Sequence, residues 1–263
     1  MNPHQQPPKA EPLPFPVIGI MSSKGGVGKS TVTTLLALAL NRRGKRVGIF
    51  DADLTGPSIP GMLGLNDQRV FSDGVNLRPV VSAQGIAVIS MNLILDDTRA
   101  PLIWRGPLLS KALQQIWNET RWDNLDYLLI DLPPGTADVP LSVMQSFPLN
   151  GLVFVTTPHD VVATIVEKSI GMARKMKMEM LGLIENLSYF KCPHCGEKTG
   201  LFVQTAHPNP SDLPLLGRLP LVAQAIKLDA GNAWIAPEID SEVDNILNQL
   251  SDRLARITDA PAV

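Results

Sequence analysis

The chain has 263 residues, 44% of them hydrophobic and 18% charged, so it can bury a sizeable core and is not compositionally disordered. Lysine and arginine total 23 against 25 aspartates and glutamates, and no basic run occurs, which argues against nucleic-acid or anionic-membrane binding through charge. The longest apolar stretch, around residues 35–40, is far too short to span a bilayer, and no secretory signal is visible. We expect a cytoplasmic protein.

The chain begins with a proline-rich segment, residues 1–16, that predicts a flexible leader. From residue 17 onward, short apolar runs alternate with helical patterns. The predicted strands are residues 17–21, 46–50, 86–90, 127–131, 152–156, 180–186 and 215–219. The predicted helices are residues 30–43, closed by Gly44, and residues 106–119, 160–175, 221–228 and 241–256. Residues 66–101 are less regular and are expected to hold an edge strand or a mobile loop.

Several predicted strands are apolar on both sides, as in residues 127–130 and 152–155. Such strands are typical of a parallel sheet that is covered by helices on both faces. The sequence therefore predicts an α/β fold with a doubly wound, mostly parallel sheet. Residues 17–263 are expected to form a single domain.

A glycine-rich loop links the first predicted strand directly to the first predicted helix. Its glycines allow backbone N–H groups to face a phosphate, Lys29 can reach the β- and γ-phosphates, and Ser30 can offer a hydroxyl to Mg²⁺. The alternative is a turn that merely connects strand and helix. The predicted nucleotide-binding residues are Gly25, Gly26, Val27, Gly28, Lys29, Ser30 and Thr31.

Carboxylates follow two other predicted strands. Asp131 ends an apolar strand, which is typical of a Walker B carboxylate that acts on Mg²⁺ through water. Asp51 and Asp53 follow the second strand at the sheet edge where open α/β sheets bind ligands, although both are also common turn residues.

The string from Lys24 to Thr31 resembles the deviant Walker A motif of partitioning and positioning ATPases (MinD and ParA), the nitrogenase iron protein and the arsenite-transport ATPase. This resemblance implies a P-loop NTPase fold and a homodimer in which Lys24 reaches the partner's nucleotide. It implies that Asp53 orients the attacking water and helps to hold Mg²⁺, that Asp51 lies in a first switch region, and that residues 131–136 form a second. The implied catalytic residues are Lys24, Lys29, Asp53 and Asp131, and the implied magnesium residues are Ser30, Asp53 and Asp131.

Further strings narrow the resemblance: Asp51-Ala52-Asp53-Leu54-Thr55-Gly56-Pro57-Ser58, Trp104-Arg105-Gly106-Pro107, Asp131-Leu132-Pro133-Pro134-Gly135-Thr136 and Glu185-Asn186-Leu187-Ser188-Tyr189-Phe190. Together they are similar to the Mrp/NBP35 (ApbC-like) iron–sulfur cluster carrier ATPases over residues 17–232. The resemblance implies that Asn186 recognises the adenine of ATP. It also implies apo iron–sulfur proteins and cluster scaffold proteins as partners.

The chain's only two cysteines, Cys192 and Cys195, lie in a Cys-Pro-His-Cys loop near residues 189–212. Two thiolates are half of what a tetrahedral metal or a cubane cluster requires, and a twofold-related chain would supply the other half. The resemblance implies a [4Fe–4S] cluster that bridges a homodimer. A structural zinc at the same place and a redox-active dithiol are the alternatives.

The sequence departs from the family pattern at three places: Ala137 in the second switch, Ile165 and Glu167 in the following helix, and the loop at residues 201–210. The additional N-terminal domain of some family members is also not expected. Two other functions remain open. One is a MinD- or ParA-like switch ATPase with a zinc-bridged dimer, and the other is a small-molecule kinase or ligase.

Overall fold

The structure is a computed structural model that describes residues 10–54, 56–95, 106–135, 138–158, 162–201 and 213–258. The strands are β1 (Val17–Ser22), β2 (Val47–Asp51), β3 (Phe71–Ser72), β4 (Leu77–Arg78), β5 (Val80–Val81), β6 (Ala87–Ser90), β7 (Tyr127–Asp131), β8 (Gly151–Thr156), β9 (Met180–Glu185), β10 (Tyr189–Lys191), β11 (Lys198–Gly200), β12 (Leu215–Arg218), β13 (Ile226–Asp229) and β14 (Asn232–Ile235). The helices are α1 (Lys29–Arg42), α2 (Ile59–Met62), α3 (Met91–Ile94), α4 (Gly106–Glu119), α5 (Asp138–Ser146), α6 (Val162–Lys175) and α7 (Asp240–Thr258), with a 3₁₀ turn at Pro237–Ile239.

An eight-stranded sheet forms the centre, in the order β12-β9-β8-β1-β7-β2-β6-β5. All neighbours in it are parallel except β5, which pairs antiparallel with β6 at the edge. Alternate residues of β1 join different apolar clusters: Ile18 and Ile20 pack with α1, α2 and α7, whereas Val17 and Met21 pack with α4, α5 and α6. This arrangement confirms the predicted doubly wound α/β fold, because a strand that is buried on both faces needs helices on both faces.

An aromatic cluster under β2 fixes the strand that ends in Asp51. Phe50 lies 5.9 Å from Trp117, 6.1 Å from Trp122 and 5.8 Å from Phe147, measured between ring centroids. Trp117 and Phe147 stack at 4.5 Å. Because Trp117 belongs to α4, the cluster ties this helix to the strand and holds the position of the following carboxylates.

Helix α1 begins directly after the glycine-rich loop and ends at Arg42, one residue before the predicted end. Gly44 has φ +76° and donates its N–H to the carbonyl of Asn41 at 2.8 Å, which closes the helix as glycine commonly does at this position. In the described part of the chain, no helix is long and apolar enough to cross a membrane.

The predicted helix at residues 221–228 is wrong. The last three residues of this segment belong to β13, which pairs antiparallel with β14. The two residues between these strands, Ala230 and Gly231, have φ of +45° and +82°, as in a type I′ hairpin turn. In β14, Ala233 and Ile235 are buried whereas Asn232 and Trp234 are exposed, so burial in this hairpin strand alternates with the period of two that strands have.

Two other parts of the sequence prediction concern irregular segments. Residues 66–101 do contain an edge strand, β5, together with β3, β4, β6 and α3, while residues 96–101 lie outside the described residues. Within the predicted leader, Phe15 is buried and Ala10 donates its N–H to the carbonyl of Ser146 at 2.7 Å. The last residues of that segment therefore pack on the core, and residues 1–9 lie outside the described part.

Candidate functional site

The predicted site residues meet at the carboxyl edge of the sheet. The glycine-rich loop follows β1, Asp51 ends β2, Asp131 ends the intervening strand β7, and Asn186 follows β9. In the register of the sheet, Asp131 pairs with Ile20 on one side and with Asp51 on the other. The order of the strands therefore brings together residues that lie far apart in sequence, at the edge where such folds bind ligands.

The glycine-rich loop has the backbone that a phosphate cradle requires. Gly26 and Gly28 both have φ of +82°, a conformation that residues with a Cβ rarely adopt. Gly25 and Gly26 are exposed, whereas Val27 is buried and anchors the loop in the core. The loop leads straight into the first turn of α1, where unpaired N–H groups favour an anion.

Asp131 is the centre of the polar contacts below this loop. Its fully buried carboxylate accepts hydrogen bonds from Lys29 Nζ at 2.6 Å, Ser30 Oγ at 2.6 Å and Thr33 Oγ1 at 2.7 Å. Thr33 was missed by the sequence analysis, although it lies one helical turn after Lys29 and therefore on the same side of α1. The ammonium and hydroxyl groups predicted to bind phosphate and Mg²⁺ are thus both held by one carboxylate.

The donors around Asp131 fit a magnesium nucleotide. Ser30 and Asp131 provide hard oxygen ligands that lie 2.6 Å apart, and Mg²⁺ is commonly held by one or two such protein groups together with water and phosphate. Lys29 is only 6% exposed, so its charge acts in a poorly hydrated place. A phosphate at the mouth of the loop is the natural second partner for this ammonium.

Asp51 and Asp53 lie in different environments. Asp51 is buried, and burial together with the nearby Asp131 carboxylate raises its pKa well above the ordinary value. Ser90 Oγ donates to it at 3.1 Å, and the N–H of Asp53 donates at 3.2 Å. Asp53 itself is half-buried at the rim of the site, so a water molecule or a phosphate can reach it. The sequence analysis did not identify Ser90, whose role depends on the register between β2 and β6.

Lys24 belongs to the glycine-rich loop, and Asn186 contacts it. Lys24 is half-buried, and its carbonyl accepts a hydrogen bond from Ser22 Oγ at 3.0 Å. Asn186 is 7% exposed, and its Nδ2 donates to the carbonyl of Val27 at 2.9 Å. A Cβ added to Gly28 would collide with this amide. Asn186 therefore lies directly against the nucleotide-binding loop.

The two cysteines lie on a small hairpin, β10–β11, that starts three residues after Asn186. The N–H of Cys192 donates to the carbonyl of Glu197 at 2.9 Å, and Gly196, at φ +75°, donates back to the carbonyl of Cys192 at 2.9 Å. Cys192 is half-buried and Cys195 is exposed. The N–H groups of Cys195 and His194 face the Cys192 sulfur and lower the pKa of its thiol, which favours the thiolate that metals bind.

The described residues contain no group of three or more His, Cys, Asp or Glu side chains that could hold a metal. Within this part of the chain, the cysteine pair could offer a metal two thiolate ligands. Thiolates are soft ligands that suit iron–sulfur clusters and zinc.

Several predicted features fall outside the described residues: Trp104, Arg105, Thr136, Ala137 and the loop from residue 202 to 212. Among the departures from the family pattern, Glu167 is exposed on α6, while the side chain of Ile165 is also outside the described part.

A family model described as NUBPL iron-transfer P-loop NTPase, of the ParA group, matches residues 16–255. The iron-sulfur cluster carrier protein of Clostridium perfringens is 47% identical over 215 residues, which cover 78% of this chain and 75% of that protein. The protein of the same name from Escherichia coli is 42% identical over 244 residues, which cover 91% of this chain but 66% of that protein. The chain thus spans slightly less than two thirds of the Escherichia coli relative.

A eukaryotic relative, the cytosolic Fe-S cluster assembly factor Nubp2 homolog of Drosophila grimshawi, is 40% identical over 94% of this chain and 97% of its own length. Among solved structures, the nucleotide-binding protein in complex with ADP from Archaeoglobus fulgidus matches with a TM-score of 0.66 and 38% identity, over 89% of this chain and 87% of that chain. The septum site-determining protein MinD with Mg-ADP from Pyrococcus horikoshii matches with a TM-score of 0.58 and 23% identity, over 94% and 100% of the two chains, a likeness of fold alone.

Proposed function

Since the chain belongs to the ParA family of NUBPL-type iron-transfer P-loop NTPases, as its motifs predict, we propose that it is a Mg²⁺-dependent ATPase that carries an iron–sulfur cluster on Cys192 and Cys195 and delivers it to apo-proteins. One observation supports this proposal most strongly. The hairpin that bears both thiols starts three residues after Asn186, whose amide is bonded to the nucleotide-binding loop. The hairpin with the two thiols thus follows closely, along the chain, a residue that contacts the phosphate cradle.

When ATP binds, its phosphate oxygens accept hydrogen bonds from the N–H groups of the glycine-rich loop and from Lys29. The Lys29 ammonium, now bonded to Asp131 at 2.6 Å, then shares its charge with the phosphates. Ser30 and Asp131 would hold Mg²⁺, the latter through water, and the ion would supply positive charge to the transferring phosphoryl group.

The water that attacks the γ-phosphate needs a group to orient it. Asp53 is proposed for this role because its half-buried position at the rim leaves it reachable, whereas the buried Asp51 is held by Ser90. Lys24 is half-buried beside the exposed Gly25, and it is proposed to reach the nucleotide of a second chain, where its charge would stabilise the transition state. Asn186 is proposed to pair with the edge of adenine through its amide.

To bind the cluster, each chain offers two thiolates, and a [4Fe–4S] cluster requires four. A homodimer with a twofold axis beside Cys192 and Cys195 supplies them. The cargo would lie near solvent because Cys195 is exposed, which suits a cluster that is handed on to apo iron–sulfur proteins or received from a scaffold protein. The cytosolic Drosophila relative supports a cytoplasmic location for this proposal.

The alternative is a MinD- or ParA-like switch ATPase whose dimer is bridged by zinc. The same two thiolates support it, because zinc also accepts four-thiolate coordination.

Anaerobic reconstitution separates the two functions. The chain is incubated with iron and sulfide, and iron, acid-labile sulfide, zinc and molar mass are measured for the wild type beside Cys192→Ser and Cys195→Ser. We expect about four irons per dimer, lost in both variants. Lys24→Ala is the matched control, which should keep the cluster and lose ATP turnover. Zinc binding without any iron–sulfur chromophore would refute the carrier function and favour the switch ATPase.

A further inference from the structure

The cysteine hairpin is not part of the central sheet. Strands β10 and β11 form a separate two-stranded sheet of three residue pairs, and all three residues of β11 are exposed. An isolated hairpin of this size is marginally stable in water. Its geometry, and with it the position of both thiols, therefore depends on contacts with other elements.

Glu242, in the first turn of α7, contacts both strands of the hairpin. Tyr189, which begins β10, donates its hydroxyl to Glu242 Oε1 at 2.9 Å. Lys198, which begins β11, lies 3.9 Å from the same oxygen and 4.6 Å from the centre of the Tyr189 ring. Tyr189 comes three residues before Cys192, and Lys198 comes three residues after Cys195. The two strands that hold the thiols are thus joined through one carboxylate.

The protonation states suit this arrangement. Burial and the bond to Glu242 raise the pKa of Tyr189 to about 12, so the phenol remains a donor at neutral pH. Burial alone would raise the pKa of Glu242, but hydrogen bonds from Ser241 and Tyr189 lower it below the ordinary value. A charged acceptor makes a stronger hydrogen bond than a neutral one.

The same turn of α7 is also bonded to the nucleotide-binding helix. Arg42, in the last turn of α1, forms ion pairs with Asp240 at 2.5 Å and with Asp244 at 2.8 Å, the residues two positions before and after Glu242. The start of α7 therefore lies between the helix that follows the phosphate cradle and the hairpin that bears the cysteines.

We propose that Glu242 is a positioning residue for the cluster: through Tyr189 and Lys198 it holds the hairpin on α7, so that Cys192 and Cys195 are pre-arranged to bind. This inference rests on the proposed carrier function and extends it. Pre-arranged thiolates lose little freedom when the cluster binds, so the loss of the anchor should shorten the lifetime of the bound cluster.

The test compares Tyr189→Phe, Glu242→Ala and the double variant with Asp252→Asn, which removes one charge from an exposed position of the same helix. Peptide-level hydrogen exchange over residues 189–200 is measured in the metal-free protein. The loss of a reconstituted cluster to an iron chelator is measured in the loaded protein, and ATP turnover is followed in both.

We expect each single variant to exchange the hairpin amides about tenfold faster and to lose the cluster about tenfold faster, with turnover changed less than about twofold. The double variant should add little, because both substitutions break the same bond. Glu242→Gln keeps an acceptor for the phenol and should fall between the wild type and Glu242→Ala.

Exchange rates and cluster lifetimes equal to those of Asp252→Asn would overturn the inference. Faster hairpin exchange with an unchanged cluster lifetime would also overturn it, because the anchor would then not position the ligands. If the wild type takes up no cluster, the carrier function itself fails, and unchanged exchange in Tyr189→Phe would separately refute the anchor.

Discussion

Replacing Asp131 by asparagine should destabilise the nucleotide-free protein strongly, because its carboxylate neutralises a buried lysine. Lys29 is 6% exposed and Asp131 is fully buried, and two hydroxyl groups donate to the same carboxylate. Breaking a buried ion pair by removing one charge costs about 3–5 kcal/mol. Because asparagine keeps the volume of aspartate and one acceptor oxygen, we expect the free energy of unfolding to fall by about 3 kcal/mol, the lower end of this range. For a domain of this size, that lowers the Tm by about 6–12 °C.

Nucleotide should recover part of this loss. Phosphate oxygens offer the Lys29 ammonium a new partner, so ATP in the presence of EDTA should raise the Tm of Asp131→Asn by more than it raises that of the wild type. Thermal unfolding with and without ATP measures both effects. Asp126→Asn is the control: it lies just before the same strand, and its carboxylate pairs with Arg46, whose side chain is 59% exposed. Arg46 donates to Asp126 through its backbone N–H and its guanidinium, but the pair is exposed to water, so the Tm of Asp126→Asn should fall by much less than that of Asp131→Asn.

Two results would refute the reasoning. One is a Tm for Asp131→Asn that matches Asp126→Asn, which would mean that the buried ammonium does not need its counter-charge. The other is an equal ATP-induced shift in the variant and the wild type, which would mean that Lys29 does not exchange the carboxylate for phosphate.

Three further substitutions test other parts of the structure. Asp51→Asn should have a higher Tm than the wild type at pH 8, and this difference in Tm between variant and wild type should become smaller towards pH 4. The reason is that an acid with a raised pKa contributes stability below its ordinary value of 3.8 and loses it as the pH rises through its folded-state value; equal differences at both pH values would contradict this. Gly28→Ala should weaken ATP binding at least about tenfold in a titration, because it strains a positive φ and displaces the Asn186 amide; unchanged affinity would rule out the clash. Phe147→Ala should cost about 3–5 kcal/mol in urea unfolding, since it empties the place against Trp117, and a loss below about 1 kcal/mol would refute that packing.

The parts of the fold that sequence predicted well are those with local signals. The strand ending in Asp131 and the loop before Lys29 are recognisable from apolar runs and glycine spacing alone, and both lie where they were expected. The helix predicted at residues 221–228 failed because its apolar spacing imitates a helix, while the deciding residue, Ala230 at φ +45°, is of a type that rarely adopts positive φ.

The partners of the predicted site residues were harder to foresee. Ser90 reaches Asp51 only because β6 lies beside β2, and Glu242 reaches Tyr189 across 53 residues of sequence. Thr33 is the exception, since its position one turn after Lys29 could have identified it. Contacts that depend on which strands are neighbours require the three-dimensional topology.

The place of the cysteine hairpin in the chain limits how the protein could be shortened. Strands β9 and β12 are parallel neighbours, so the chain between them must return from the carboxyl end of β9 to the amino end of β12. In parallel sheets a helix usually makes this connection. Here the hairpin lies within that crossover. A six-residue strand such as β9 is about 20 Å long, so at least six extended residues are needed for the return alone. A descendant of this protein can therefore lose both thiols by substitution and keep its sheet, but it cannot delete the whole connection between β9 and β12.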